Sequence, residues 1–558
     1  MDKVWLQSYS AGVPESINPD EYTSITDLFE QGIKKFGSLP AYSNFGHELS
    51  FDDLDRLTQQ FAAYLTGDLG LKKGDRVAIM MPNILQYPVS LFAILRAGLV
   101  VVNVNPLYTA RELEYQLNDS GAEAIVVVEN FANTLAEVVG KTKIKHVVTT
   151  QIGDLFGFPS SFIVNAVIKY VKKMVPSFHI PGAVRMNDAL GIGAKHPFQK
   201  VEQSLDDTAF LQYTGGTTGV SKGAVLSHRN MVSNLLQAYE WTKDDLKEGV
   251  EIVVTPLPLY HIFSLTANAL FGMRTGSKCL LITNPRDFPA FVKTLAKEDF
   301  SIFVGINTLF NALLHTPGFE DVNFAHLKLT LGGGMSVQRS VAEKWKEVTG
   351  NPLLEAYGLT ETSPAVTINP IGMADYNGAI GLPVPSTDIS IRDENGQEQP
   401  LGESGELWVK GPQVMSGYWQ HEDENAKVFT EDGWLRTGDI ARVDEKGFVF
   451  LVDRLKDMIL ISGFNVYPNE VEAVIAAHEK VLEVGVIGVS NNDSGEIVKA
   501  VVVKEDDSLT EEELQAYCHK NLTAYKCPKL IQFVDELPKT NIGKILRREL
   551  RELYGKLS

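Results

Sequence analysis

The sequence predicts an α/β protein in which a large N-terminal domain passes into a distorted β-rich subdomain and then into a small C-terminal α+β module. Three observations predict it. From about residue 50, buried apolar strands alternate with helical stretches, which implies parallel pairing covered on both faces. Between 376 and 452, short strands such as FVFLV and glycine-marked turns crowd together. After DRLKDMI the pattern becomes helix, strand, strand and helix over about 100 residues, enough for an independent domain.

The chain opens with MDKVWLQSYSAGVPESINPDEY, which has no apolar run of signal-peptide length, and no stretch approaches the roughly 18 apolar residues of a membrane-crossing helix. A soluble, cytoplasmic or at most peripheral protein is expected. Cys279, Cys518 and Cys527 have the spacing of neither a zinc site nor a disulfide framework, which fits a reducing compartment. Its 558 residues, 44% hydrophobic and 22% charged, suit a multi-domain globular protein. A net charge of −19 argues against nucleic acid as a partner, because a phosphate backbone would be repelled.

A helix is expected from Ser50, with Asp52 and Asp53 in its first turn. DRVAIMM then reads as a buried strand, PVSLFAILRAGLV as an apolar helix, and VVVNVNP and AEAIVVVEN as strands around the helix ARELEYQLNDSG. The stretch 155–181 interrupts this order. Its Ile163, Val164, Val167, Ile168, Val171 and Val175 recur at near-helical spacing, with Lys169, Lys172 and Lys173 interleaved. One reading is an amphipathic helix packed on the core with solvated lysines. The other is a basic, apolar surface that touches anionic lipid, sensible only for a lipid substrate.

The organising stretch is YTGGTTGVSKG, residues 213–223. Its glycines let backbone N–H groups converge on an anion, and four aliphatic hydroxyls and an ammonium stand among them, the chemistry of a phosphate cradle; the competing reading is a solvated hairpin. A Walker A loop would place lysine directly after glycine and before a helix, whereas Lys222 follows Ser221 and precedes a strand-like GAVLSH. The loop is therefore expected to join two strands, with Ser227 capping the next helix.

Downstream, Tyr260, His261 and Phe263 follow a strand, where a lone histidine is as readily a core residue as a functional one. LKLTLGGGM ends in Gly332, Gly333 and Gly334, a glycine turn at a strand end where ligands sit in open α/β sheets. In NPLLEAYGLTETSP, Glu361 stands beside hydroxyls and reads either as a surface carboxylate or as an oxygen ligand for Mg²⁺ on a polyphosphate. Asp439 could accept ribose hydroxyls and Arg454 could meet a ribose or phosphate oxygen; turn capping and a surface ion pair are the alternatives. Lys544 is expected after a glycine turn at the start of a charged helix, a place where lysine is ordinarily solvated.

Together, YTGGTTGVSKGA, YGLTETSP, GWLRTGD, DRLKDMILISGFNVYPNEVE and PKTNIGKILRREL resemble, in order and spacing, the motifs of the adenylate-forming (acyl-activating) enzyme superfamily across essentially the whole chain. The stretch from DGWLRTGD to DRLKDM resembles the fatty acyl-CoA synthetase signature, and KVWLQSY with VIKYVKKMVP resembles the bacterial long-chain fatty acid–CoA ligases within that superfamily. Ser221 stands where proline is commonest, a change that removes some rigidity and is compatible with the motif.

The resemblance implies an N-terminal domain of residues 1–454, with two αβ-layered subdomains and the β-subdomain, and a mobile C-terminal domain of residues 455–558 hinged at Lys456. ATP, CoA and a fatty acid would be substrates and Mg²⁺ the cofactor, in a protein that is often a homodimer. Tyr213, Thr214, Gly215, Gly216, Thr217, Thr218, Gly219 and Lys222 would hold the ATP phosphates, with Thr214 and Glu361 near the metal. Gly333, Gly334, Glu355, Ala356, Tyr357, Gly358 and Thr360 would line the nucleotide pocket, Asp439 would bind the ribose and Arg454 a ribose or phosphate oxygen. Lys544 would bridge the substrate carboxylate and the α-phosphate. His261, Phe263, Val304 and Gly332 would border the acyl tunnel, and Gly463 and Phe464 the pantetheine channel. Lys544, Glu361 and Thr214 are the expected catalytic residues. Delivery to a carrier protein, or a nucleotide- or lipid-binding protein that has lost catalysis, are the competing functions.

Overall fold

Four sheets organise the chain in the computed structural model, which describes residues 2–214, 221–461, 464–491, 495–540 and 543–555. Among the described residues the first sheet runs Val184–Arg185, His146–Thr150, Ala124–Val128, Arg76–Met80, Val100–Asn103, Thr208–Tyr213 and Gly223–Ser227. Only its last pair is antiparallel. Ala124–Val128 is buried at every position, as expected of a strand covered on both faces. The second sheet runs Leu382–Pro383, Ala365–Ile368, Leu353–Gly358, Leu329–Gly332, Ile302–Gly305, Ile252–Thr255, Lys278–Leu281, Pro40–Asn44 and His47–Ser50.

Helices wedge between the two sheets. Every residue of Gln86–Arg96 is buried, and the core it joins takes in Val77 and Ile79 from one sheet and Val253 and Val254 from the other. Polar clasps fix the wedge. The Asn83 side-chain amide donates to the Thr255 and Leu257 carbonyls at 2.9 and 2.8 Å, and the Tyr87 hydroxyl donates to Leu259 O at 2.8 Å. The predicted helix starts hold: Ser50 and Ser227 each form a capping box, with Asp53 and Asn230 returning the hydrogen bond.

The β-rich region forms an antiparallel sheet of Asp388–Arg392, Gly405–Lys410, Leu435–Val443 and Val449–Arg454. The small C-terminal domain builds on Phe464–Val466, Ile459–Ile461, Gly495–Lys504 and Val481–Asn491, with Leu530–Phe533 parallel to Gly495–Lys504. The mixed α/β class, with a large N-terminal and a small C-terminal domain, is as the sequence predicts. All three cysteines are free and buried.

Two local expectations need correction. The helix expected over 163–175 is the α-helix Ser160–Ala166 continued by a π-turn, Val167–Val171, so Val175 lies beyond it. Only Val164 and Ile168 pack on the core, while Phe158, Phe162, Ile163, Tyr170, Val171 and Met174 stand in solvent. Its apolar stripe is wider than the single row the core accepts, so a face that reads as buried is largely exposed. Lys544, expected to open the last helix, instead lies in a turn before Arg547–Tyr554. Thr540 N donates to Lys544 O at 2.7 Å and Lys544 N donates to Thr540 Oγ1 at 3.0 Å, a closure that Gly543 permits at φ +87°.

Candidate active site

The carboxyl ends of the parallel strands form the floor of a cleft. Register levels them: Gly305 pairs with Gly332, and Gly332 with Glu355. Val304 is buried in the neighbouring strand. At Gly333 a Cβ would stand 3.0 Å from the Phe263 ring and 3.1 Å from Ala356 O, a tight fit that would make these neighbours give way. Gly334 then turns at φ +74°. Glu355 is buried beneath this turn, where Val337 N donates to its carboxylate at 3.1 Å and burial pushes its carboxyl up to about 8.

Beyond Ala356, the Tyr357 hydroxyl donates to Asp439 Oδ2 at 2.6 Å, and Asp439 Oδ1 lies 3.3 Å from Arg454 Nε. The strand register sets Asp439 directly opposite Arg454. Asp439 is only 3% exposed, so the surface ion pair weighed from the sequence is instead a buried carboxylate held between a hydroxyl and a guanidinium.

The phosphate-cradle loop does join two antiparallel strands, closing with Tyr213 opposite Gly223 and Thr214 N donating to Lys222 O at 3.0 Å. Gly215, Gly216, Thr217, Thr218 and Gly219 lie outside the described residues, as does Gly463. The Lys222 ammonium pairs with Glu424 and lies 5.0 Å from the Tyr418 ring centroid. The Tyr418 hydroxyl in turn donates to Glu361 at 2.6 Å, on the short turn Thr360–Thr362 that follows Gly358. The strand Gly223–Ser227 brings these together, because Ala224 bridges to Tyr418 and Trp419 N donates to Gly223 O at 2.8 Å.

Among the described residues no three His, Cys, Asp or Glu side chains form a metal cage. Thr214 and Glu361 offer one hydroxyl and one carboxylate, a donor set suited to Mg²⁺ that arrives with phosphate oxygens and waters of its own.

The C-terminal domain closes the cleft. Thr308, on the helix Asn307–Leu314, donates to Gly543 O at 3.2 Å, and Asn311 donates to Leu482 O at 3.4 Å. Lys544 is thereby brought among Arg454, Asp439 and Lys456, and the Arg454 charge, then burial, lowers its ammonium to about 7. Burial, then the charge of Lys544, holds His261 down to about 4. Lys456 is lowered to about 8 by burial and then by Arg454. Phe464 pairs through its backbone with Ile461 in the adjoining hairpin.

At the end of the strand Val449–Arg454, Asp453 meets Arg547 at 3.2 Å and accepts from Asn469 N at 2.7 Å, and Arg547 also binds Glu472 at 2.7 Å.

Sequence reasoning missed Tyr418, Glu424, Asp119, Gln212 and Thr308. Asp119 accepts the Tyr213 hydroxyl at 2.5 Å, while Gln212 accepts from Asn103 at 2.9 Å and donates to Tyr260 O at 2.7 Å, fastening the cradle strand to the His261 segment. None of these pairings has a local signal, since each joins segments far apart in the chain.

Residues 29–419 match the family model described as AMP-binding enzyme, and 470–544 match that of the AMP-binding enzyme C-terminal domain. The chain is 56% identical over 552 residues to a long-chain-fatty-acid–CoA ligase of Yersinia pestis, covering 99% of this chain and 98% of that protein. It is 56% identical over 558 residues to the enzyme of the same name from Escherichia coli O6:H1, covering 100% and 99%. Among solved structures, ATP-bound MatB from Rhodopseudomonas palustris superposes with a TM-score of 0.83 at 29% identity, over 95% of this chain and 99% of that one.

Proposed function

The chain belongs to the AMP-binding enzyme family, and from that premise we propose that it is an ATP-dependent, AMP-forming long-chain fatty acid–CoA ligase. The fatty acid carboxylate oxygen attacks the α-phosphorus of ATP and pyrophosphate leaves, giving an acyl-adenylate. The CoA thiolate then attacks the acyl carbon and AMP leaves with the bond electrons. The observation that carries the reading is the seating of Lys544 beside Asp439 and Arg454 at the strand ends. An ammonium there meets the charge that develops between carboxylate and phosphate, and the fixed strand ends position the partners.

In this reading Tyr357, Asp439 and Arg454 hold the ribose end of the nucleotide, with Gly333, Gly334, Glu355, Ala356, Gly358 and Thr360 around it, and Thr214 and Lys222 hold its phosphates. Mg²⁺, held by Thr214 and Glu361, would neutralise phosphate charge. His261, Phe263, Val304 and Gly332 border the acyl chain, whose burial contributes roughly 0.8 kcal/mol per CH₂. Residues 455–558 turn about Lys456 between the two steps, withdrawing Lys544 and bringing in the 463–467 segment. The homodimer follows from family resemblance alone. We further propose peripheral contact with anionic lipid through residues 158–174, supported by the exposed Phe158, Phe162, Tyr170, Val171 and Met174 beside Lys169, Lys172 and Lys173.

Lys544→Ala should slow adenylation by orders of magnitude while sparing thioesterification of supplied acyl-AMP, measured as separate half-reactions by mass spectrometry. Equal loss in both steps would sink the assignment of Lys544. Acyl-AMP that CoA leaves unchanged in the wild-type protein would sink the CoA ligase reading and favour a carrier-protein acceptor.

A further inference from the structure

The lysine of the glycine-rich loop has an internal partner. Its ammonium is ion-paired with Glu424, on the helix Glu422–Val428, and rests on the face of Tyr418 at 5.0 Å from the ring centroid. Lys222 and Glu424 side chains are 24% and 25% exposed, so the pair is partly shielded from water. Glu424 also takes Lys427 at 2.6 Å, and these two lysines, Lys222 first, hold its carboxyl down to about 2. The same Tyr418 spends its hydroxyl on Glu361 at 2.6 Å. One tyrosine therefore touches both the loop cation and the carboxylate that the proposed function places next to the metal.

A carboxylate offers Lys222 an anionic oxygen, as a phosphate on the same lysine would. We propose that Glu424 is a stand-in for the nucleotide's phosphate: it pairs with Lys222 and is displaced when ATP binds, so that it sets nucleotide affinity by competing with it. The inference rests on the reading that Lys222 binds ATP phosphates. A ligand that must displace an internal partner loses the free energy of that contact from its own binding. Tyr418 keeps Lys222 in place during the exchange, because its ring attracts the ammonium whichever anion is present. Glu424 is a positioning residue, acting through Lys222, and does not touch the reacting atoms.

The test is calorimetric titration of ATP into the full-length wild-type protein, Glu424→Gln and Asp423→Asn, together with steady-state kinetics. Gln keeps the shape of Glu424 and removes its charge. Asp423 lies on the same helix with its side chain 75% exposed and serves as the control for general charge. Glu424→Gln should tighten ATP binding about fivefold, lower the KM for ATP in step, and leave the KM for fatty acid where it was. Asp423→Asn should stay within about twofold of wild type. Unchanged or weaker binding in Glu424→Gln, or equal tightening in Asp423→Asn, would overturn the exchange while leaving the nucleotide reading intact. Absence of ATP binding to the wild-type protein would remove both.

Discussion

At the residue scale the most telling side chain is Lys544. A lysine ordinarily titrates near 10.5, but the Arg454 charge and burial bring this one to about 7. The direction has a consequence for nucleotide binding. At pH 8, above its lowered value, the free side chain is mostly the neutral amine. Phosphate oxygens beside it favour the ammonium, so ATP binding at pH 8 should take up a proton, with the uptake approaching one per ATP and vanishing near pH 6. Titration of ATP in two buffers of different ionisation enthalpy measures it, and Lys544→Met should abolish it. Uptake that survives in Lys544→Met would place the titrating group elsewhere. Sequence alone located this lysine but not its state, because the lowering comes from Arg454, burial, Arg547 and Lys456, against the opposing pull of Asp439, and a glycine turn and a domain contact bring these groups near. The same limit explains Tyr418 and Glu424. Lys222 stood out within its glycine-rich loop, whereas its partners sit in SGYWQHEDE, a stretch that reads as surface.

At the scale of elements, periodicity was most informative where burial is one-sided or complete. The capped helices at Ser50 and Ser227, the valine-rich parallel strands and the strand-loop-strand form of the cradle were all legible, since caps and apolar runs are local physics. The segment 158–174 was half legible. Its spacing gave a helix, but nothing in spacing says whether a wide apolar stripe finds a partner, and here Phe158 is 90% exposed. If this element meets lipid, Phe162→Asp with Val171→Asp should remove most sedimentation with vesicles containing anionic lipid, with ATP-dependent acyl-AMP formation from a soluble medium-chain acid unaffected. Equal sedimentation of variant and wild type would rule out this face. The described helices include none long and apolar enough to cross a membrane.

At the scale of the whole molecule, the order of the domains could be read from five motifs, but their relative placement could not. That placement depends on a few contacts, Thr308 to Gly543 and Asn311 to Leu482 on one side of the cleft, and on Asp453 beside the proposed pivot. Asp453 lies in the last N-terminal strand, one residue before its end at Arg454, yet its carboxylate accepts from Asn469 N and meets Arg547, both in the C-terminal domain. Rotation about Lys456 would part these groups, so Asp453 favours the orientation in which Lys544 faces the cleft. Asp453→Asn should slow adenylation about tenfold relative to thioesterification, a shift of ~1.4 kcal/mol in the balance of orientations. Parallel loss of both half-reactions would instead indicate general damage to the fold.

The pairing of Asp439 with Arg454 across adjacent strands carries a last consequence. Tyr357, Asp439 and Arg454 all precede Lys456 in the chain, and Lys544 follows it. If residues 455–558 turn as proposed, the cleft is a vice with one fixed jaw: the adenosine end would stay gripped while the other jaw swings away and a different tool comes forward. Pyrophosphate and acyl-CoA can depart without loosening that grip. AMP should therefore be the last product released, its exit timed by the fixed jaw rather than by the swing.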